Sequence, residues 1–182
     1  MPEQGSDDED AHIVKADYAS GGLKLSAAYA KFGNGTTAQD DTKVGAIIAS
    51  YDFGAINVGG GWQRETDIGG TSGNDRNKYT LGAALKVGAN GTIKAQYARA
   101  RDLRSTSDTG ATQWALGYDH AWDSRTTLYV AYARTQNDNG AAFTSYNYGH
   151  GDEGVPGLIA GNDPQAISVG VVFKFDIGLL PR

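Results

Sequence analysis

The sequence predicts an all-β protein, an antiparallel up-and-down transmembrane β-barrel of about nine strands. Three observations carry that prediction. Four times an aromatic is followed two places on by a cation, at Tyr29/Lys31, Trp62/Arg64, Tyr97/Arg99 and Tyr132/Arg134. The steps between them, 33, 35 and 35 residues, suit one β-hairpin with its connections. Several helical repeats share that length, but 26 glycines and period-two alternation do not suit helices. Secondly, most segments put apolar or aromatic side chains one way and small or polar ones the other. Thirdly, connections alternate between short turns and long polar loops, the asymmetry of membrane-spanning barrels.

The first strand, Ala11–Ala19, sets Val14, Ala16 and Tyr18 against Lys15 and Asp17. A Ser20-Gly21-Gly22 turn leads to Leu23–Lys31, with Leu23, Leu25, Ala27 and Tyr29 opposite Lys24, Ser26 and Ala28. The third, Lys43–Phe53, is the least regular because Ile47, Ile48 and Ala49 are consecutive; Tyr51 and Phe53 face away from Ser50 and Asp52. After a tight turn at Gly54, Ile56, Val58 and Trp62 oppose Asn57, Gly59, Gly61, Gln63 and Glu65.

The fifth strand, Lys78–Val87, alternates most cleanly: Tyr79, Leu81, Ala83, Leu85 and Val87 against Lys78, Thr80, Gly82, Ala84 and Lys86. The sixth sets Ile93, Ala95 and Tyr97 against Lys94 and Gln96. In the seventh, Trp114, Leu116 and Tyr118 oppose Gln113, Gly117 and Asp119. The eighth sets Leu128, Val130 and Tyr132 against Thr127, Tyr129 and Ala131. The ninth carries Ile167, Val169, Val171, Phe173 and Phe175 against Ser168, Gly170 and Lys174. The long loops fall near Gly33–Asp41, Asp67–Asp75, Arg104–Gly110 and Asn137–Pro164.

Composition narrows the class. The 182 residues are 40% hydrophobic, enough for one domain with a covered face. Mean hydropathy is −0.44, and no apolar run approaches the roughly 18–20 residues of a membrane helix. A barrel strand with one wet face escapes that test. There is no cysteine, so disulfides and thiolate metal sites are excluded. The net charge of −5, with acid concentrated at Asp7, Asp8, Glu9 and Asp10, speaks against nucleic acid as a partner. Those first residues are unlike a signal peptide. Export needs one, so the leader is expected to be missing from this sequence, or the chain to be part of something larger.

The polar face holds Lys15, Asp17, Lys24, Lys78, Lys86, Lys94, Gln96, Gln113, Asp119 and Lys174, interleaved with Gly, Ala and Ser. Charges on that scale cannot be buried unpaired, so the face is expected to be wet, lining a lumen. Lysines outnumber acids there, which favours anions modestly. On the apolar face, Tyr29, Trp62, Tyr97 and Tyr132 lie near the long loops. Tyr18, Tyr51, Phe53, Tyr118, Phe173 and Phe175 lie near the short turns, with an aliphatic band between. Two aromatic belts match a bilayer profile. Lys31, Arg64, Arg99 and Arg134, beyond the upper belt, are expected to meet lipid phosphates. Capped, solvated strand ends are the plainer reading of each pair alone.

Catalysis finds little support. His12, His120 and His150 lie in separate segments without metal-like spacing, and no serine sits in a nucleophile elbow. Gly59-Gly60-Gly61 leads into Trp62 rather than a helix, so it is no phosphate loop. Asp7–Asp10 and Asp152-Glu153 could hold divalent ions beside lipopolysaccharide, but read more simply as solvated loops. The expectation is a non-enzyme without cofactor or metal.

Further motifs carry a family likeness. They are Thr112-Gln113-Trp114-Ala115-Leu116-Gly117-Tyr118-Asp119, Arg125-Thr126-Thr127-Leu128-Tyr129-Val130-Ala131-Tyr132, Gly161-Asn162-Asp163-Pro164 and Ile167–Phe175. Over roughly Ala11–Phe175 the chain resembles the Gram-negative general porins of β-proteobacterial type, with Phe175 in the place of their terminal Phe. The resemblance implies passive diffusion of ions and small hydrophilic solutes through a water-filled barrel. It implies a homotrimer in the bacterial outer membrane, among lipid and lipopolysaccharide. Such porins resemble sixteen-stranded barrels, and the nine strands here align with their C-terminal portion. The family's N-terminal strands and inward-folded constriction loop have no counterpart, so no eyelet residues are carried over.

The expected organisation is an acidic loop or disordered segment at 1–10, barrel strands over 11–175 and a tail at 176–182. Short turns would be periplasmic and longer loops extracellular. A tail beyond Phe175 departs from the family pattern. Nine up-and-down strands also leave the first and last parallel, so closure needs an unusual pair or further strands. The competing reading is a non-conducting barrel or a soluble β-sheet that binds or displays loops. Leu81, Leu85, Leu116, Leu128 and Val130 discriminate: pointing outward they favour the channel, converging they favour the sheet.

Overall fold

The computed structural model describes residues 10–33, 40–145 and 158–175. Asp7–Glu9, His150, Asp152-Glu153 and the tail from Asp176 lie outside the described residues. Nine strands follow one another: β1 (Ala11–Ser20), β2 (Leu23–Phe32), β3 (Thr42–Asp52), β4 (Ile56–Thr66), β5 (Arg76–Val87), β6 (Gly91–Ala100), β7 (Ala111–Ala121), β8 (Thr126–Asn137) and β9 (Gln165–Phe173). They form a single sheet in chain order, every neighbour antiparallel, with β1 and β9 as its open edges. The one helical element among the described residues is a 3₁₀ turn, Ile68–Gly70. No described helix is long and apolar enough to cross a membrane, which says nothing of strands.

The short and long connections alternate as the sequence predicts. Gly21-Gly22 joins β1 to β2, and Asp123–Arg125 with Trp122 joins β7 to β8. In the first of these, Gly21 takes a left-handed φ of 54° in a turn with no room for a longer loop. Two strands, β3 and β9, stop short of expectation. The β3 ladder stops at the Asp52–Asn57 pair, leaving Phe53 to close the turn by donating its N–H to the Ile56 carbonyl. β9 stops at Phe173, because β8 begins at Thr126 and supplies one further acceptor, the Arg125 carbonyl that Lys174 N–H reaches. Lys174 and Phe175 therefore follow the strand. β5 begins two residues earlier than expected, which adds Arg76 to the sheet.

Register keeps the two faces separate across all nine strands. Val14 pairs with Tyr29, Ile47 with Trp62, Leu81 with Tyr97, Leu116 with Tyr132, and Tyr132 with Ile167. The other parity chains Asp17 to Ser26, Gln63 to Lys78, and Lys94 to Gly117. A one-residue slip anywhere would exchange the faces beyond it.

The same register contains a tilt. Tyr29 shares a hydrogen-bonding row with Arg64, Trp62 with Arg99, and Tyr97 with Arg134, so each aromatic sits two residues below its predecessor's row. Two residues are about 6.8 Å of rise, and two strand spacings about 9.6 Å. A line through the four aromatics thus crosses the rows at about 35°, within the strand tilt of membrane barrels. The constant sequence interval and the constant stagger are two views of one geometry.

There is almost no core. Among the described residues only Ala111 and Ala141 are buried apolar side chains. Leu81 is 57% exposed, Leu116 53% and Ile47 51%, all on one face. The opposite face encloses a hollow of about 660 Å³, lined by Ser50, Gly59, Gly82, Lys94, Gln96 and Asp119 among others. The sheet curls with its small and polar side concave and its apolar side convex.

Candidate functional site

Gly59 and Gly61 of β4, Gly82 of β5 and Gly117 of β7 keep the middle of the concave face low. A Cβ on Gly61 would lie 3.2 Å from both Ile48 and Thr80, so either side chain would have to give by a few tenths of an ångström to admit one. The ring of Tyr129 lies over Gly170, where a Cβ would fall 2.5 Å from its hydroxyl. Tyr129 thus lies flat along the wall of the hollow.

Nine of the ten polar residues predicted to share a face do so by register: Lys15, Asp17, Lys24, Lys78, Lys86, Lys94, Gln96, Gln113 and Asp119. Lys174 lies just past β9, held through its backbone. Three of the lysines are neutralised. Lys15 meets Asp17 at 2.9 Å, Lys78 meets Glu65 at 2.6 Å, and Lys94 is ion-paired with Asp119. Asp17 also accepts from the Ser26 hydroxyl at 2.5 Å. Among the described residues, Lys24 and Lys86 make no ion pair, which leaves the concave face with surplus positive charge.

The alternation has exceptions. Ile13, Val44, Ile48 and Val172 share the concave parity. Consecutive Ile47 and Ile48 cannot both be convex, and Ile48 is the one turned inward.

The convex face carries Tyr29, Lys31, Trp62, Arg64, Tyr97, Arg99, Tyr132, Arg134 and Phe173 on one parity. Phe175, 67% exposed, lies beyond the strand. Two belt aromatics hydrogen-bond toward the loop end: Trp62 Nε1 to Asn77 at 3.1 Å, and the Tyr132 hydroxyl to Gln165 at 2.8 Å. A ring with its body in the apolar band and its polar tip at the rim is the usual arrangement at an interface. Trp114 and Tyr132 meet diagonally, ring centroids 5.1 Å apart.

The rim cations have partners that the sequence did not announce. Lys31 pairs with Asp41 at 2.5 Å, Arg64 with Asp75 at 2.9 Å, Arg134 with Asp163 at 3.3 Å and Arg99 with Asp138 at 3.5 Å. Lys43 adds a fifth pair with Asp67 at 3.5 Å. Each ties a long connection to a strand of the sheet, and Arg99 of β6 reaches the β8–β9 connection two strands away. Being half-exposed, the Arg64, Arg99 and Arg134 pairs are each worth at most about 1 kcal/mol.

Sequence reasoning missed Arg76, Thr135 and the segment Gly140–Ser145 at the loop end. Arg76 has the parity of Lys78, so extending the β5 alternation by two residues would have found it. At the opposite end, Asp123 accepts from the N–H groups of Arg125 at 2.7 Å and Thr126 at 2.8 Å. Those bonds hold its carboxyl below the usual aspartate range. Among the described residues no three His, Cys, Asp or Glu side chains gather as metal ligands would, and His12 and His120 lie on strands β1 and β7.

The comparisons agree with this geometry. The chain is 33% identical over 161 residues to outer membrane porin protein 32 of Delftia acidovorans, covering 86% of this chain and 42% of that protein. It superposes on the anion-selective porin from Comamonas acidovorans with a TM-score of 0.69 and 31% identity, over 88% of this chain and 48% of that one. OmpT of Vibrio cholerae shares the fold at a TM-score of 0.65 and 16% identity, over 92% of this chain and 57% of that one. The chain thus spans about half the length of the porins it matches. The family described as Gram-negative porin matches residues 2–140, so the chain belongs to the Gram-negative porins, proteins of the bacterial outer membrane.

Proposed function

We propose that the chain forms part of the wall of a water-filled channel for passive diffusion of ions and small hydrophilic solutes. The observation that carries this reading is the division of the sheet. Leu81, Leu85, Leu116, Leu128 and Val130 are all exposed on the convex side, while Lys94, Gln96, Asp119, Tyr129 and many small residues line the hollow, with Ile48 and Val172 as its apolar exceptions. A soluble sheet would have covered that apolar face. In this reading Lys15, Asp17, Lys24, Lys78, Lys86, Lys94, Gln96, Gln113 and Asp119 line the lumen. The convex belts meet outer-membrane lipid, and the rim cations, tied to loop carboxylates, lie at the level of lipopolysaccharide phosphates. Residues 11–175 are wall, short turns are periplasmic and long loops extracellular. The edges β1 and β9 are left open, and an odd number of further strands would close the barrel with every pair antiparallel. The assembled porin is a homotrimer and no enzyme.

Surplus cations on the concave face support anion preference, the property named for the Comamonas relative. The wall assignment is tested by labelling from the aqueous phase in liposomes. A membrane-impermeant thiol reagent should modify Lys86→Cys and Lys94→Cys while Leu85→Cys resists; the reverse pattern overturns it. Planar-bilayer recording then tests conduction. Salt-proportional steps mean that strands close, alone or together, into an aqueous pore. Silence with full insertion would mean a fragment of the wall or a display barrel.

A further inference from the structure

The concave face is almost bare of aromatic rings. Among the described strands its parity carries two, Phe32 at the loop-side end of β2 and Tyr129 of β8, which borders the hollow. Tyr129 stands in one row with Asp119 on one side and Gly170 on the other. A Cβ on Gly170 would lie 2.5 Å from the Tyr129 hydroxyl and 2.6 Å from both Cε1 and Cζ. Distances so nearly equal place that point over the ring's face rather than at its edge. One face therefore rests on the wall, and the other is turned to the hollow.

The next row toward the loops holds Lys94, Gly117 and Ala131. A Cβ on Gly117 would meet only ordinary contacts, 3.5 Å from the Val130 carbonyl and 3.7 Å from the Ala131 Cβ, and its φ is not left-handed. Neither packing nor backbone requires glycine there, so what it supplies is room. Lys94 and Tyr129 lie two strands apart, about 9.6 Å, with that shallow floor between them. Lys94 is ion-paired with Asp119 through Oδ2. Among the described residues, Asp119 Oδ1 and the Tyr129 hydroxyl make no hydrogen bond, and the ammonium keeps two further protons.

These groups discriminate among solutes. Lys94 and Asp119 neutralise each other, so a charged solute must part them before either can serve it. A neutral molecule with vicinal hydroxyls uses the pair as it stands, donating to the carboxylate and accepting from the ammonium. The open face of Tyr129 adds a surface for the C–H groups of a flat ring. A hydroxylated ring with apolar faces and a polar edge is a pyranose. The geometry points to a pyranose-binding subsite on the lumen wall, built from Tyr129, Asp119 and Lys94 over the Gly117–Ala131 floor. It deepens the channel reading, on which its place in a solute path rests.

The test is saturation-transfer NMR of methyl β-glucopyranoside with the chain refolded in detergent micelles, titrated to give a Kd. Planar-bilayer conductance in KCl is read alongside. The glucoside should bind and should lower conductance in step with occupancy. Sorbitol, which has the hydroxyls but no ring face, should bind at least about fivefold more weakly. Tyr129→Ala should weaken the glucoside about five- to tenfold, and Tyr129→Phe should restore most of that. Gly117→Val, which fills the floor, should weaken it as much, and Asp119→Asn about threefold. Equal affinity for sorbitol, or an unmoved Kd in Tyr129→Ala and Gly117→Val, overturns the subsite. Current without any transfer to the glucoside overturns it too and leaves the channel reading standing. Binding with those losses but no current upholds the subsite and sinks the channel reading alone.

Discussion

The convex and concave faces are built from the same strands, residue by residue in alternation, yet they obey different rules. On the convex face, the side chains below the rim cations are mostly apolar and exposed, and position along the strand matters: aromatics at both ends, aliphatics between. On the concave face, side chains are small or charged, and pairing matters more than position: Lys15 with Asp17, Lys78 with Glu65, Lys94 with Asp119. One face is shaped for a uniform surrounding and the other for local partners. A sheet with so little interior is held by its ladders and by what it leans on.

The largest effect should come from charging the convex band. Leu81→Arg puts a guanidinium on the exposed convex face and should destabilise the membrane-folded protein by about 2–4 kcal/mol. Thr80→Arg, one residue away on the concave face, should cost under about 0.5 kcal/mol. Urea titration of the protein refolded in phosphatidylcholine bilayers reads both. Equal costs would abolish the distinction between the faces.

A smaller effect should follow from crowding the concave wall. Gly170→Val drives a branched side chain into the Tyr129 ring, which must leave its place along the wall. The expected cost is about 1–3 kcal/mol, and Tyr129→Ala should recover part of it. Gly45→Ala, on the convex parity with nothing within 4 Å of the new Cβ, should be close to neutral. If Gly170→Val is equally neutral, the concave face is less tightly set than its glycines indicate.

Much of this division was legible in the sequence because period two is a local signal. Once Tyr79, Leu81 and Leu85 are on one side, Lys78 and Lys86 must be on the other, and register carries that choice to every neighbour. What was illegible depends on contacts far along the chain. The rim cations were visible as a repeat, but their carboxylates were not: Arg64 reaches 11 residues, Arg134 reaches 29 and Arg99 reaches 39. Residues 140–145 have no periodicity at all, and their course is fixed by Gln113, Thr135 and Asn137. Strand ends were misjudged where partners run out. Phe175 looks like strand by alternation, yet there is no residue of β8 left to pair with it.

The smallest effect lies at the short-turn end, where neither face decides. Asp123 is fully exposed, and the N–H groups of Arg125 and Thr126, then the Thr126 hydroxyl at 3.1 Å, make its ionised form the better acceptor. Its folded pKa is therefore depressed below the unfolded value of 3.8. A depressed carboxyl contributes stability that is present above the unfolded pKa and fades as pH falls through the folded one. The β7–β8 turn should accordingly loosen below about pH 4, read as faster amide exchange at Arg125 and Thr126 before the strands themselves respond. Asp123→Asn should remove the pH dependence of that exchange and leave the division between the faces untouched. If acid instead releases the strand amides together with the turn, the ladders are not independent of their connections, and the two faces are stabilised as one unit.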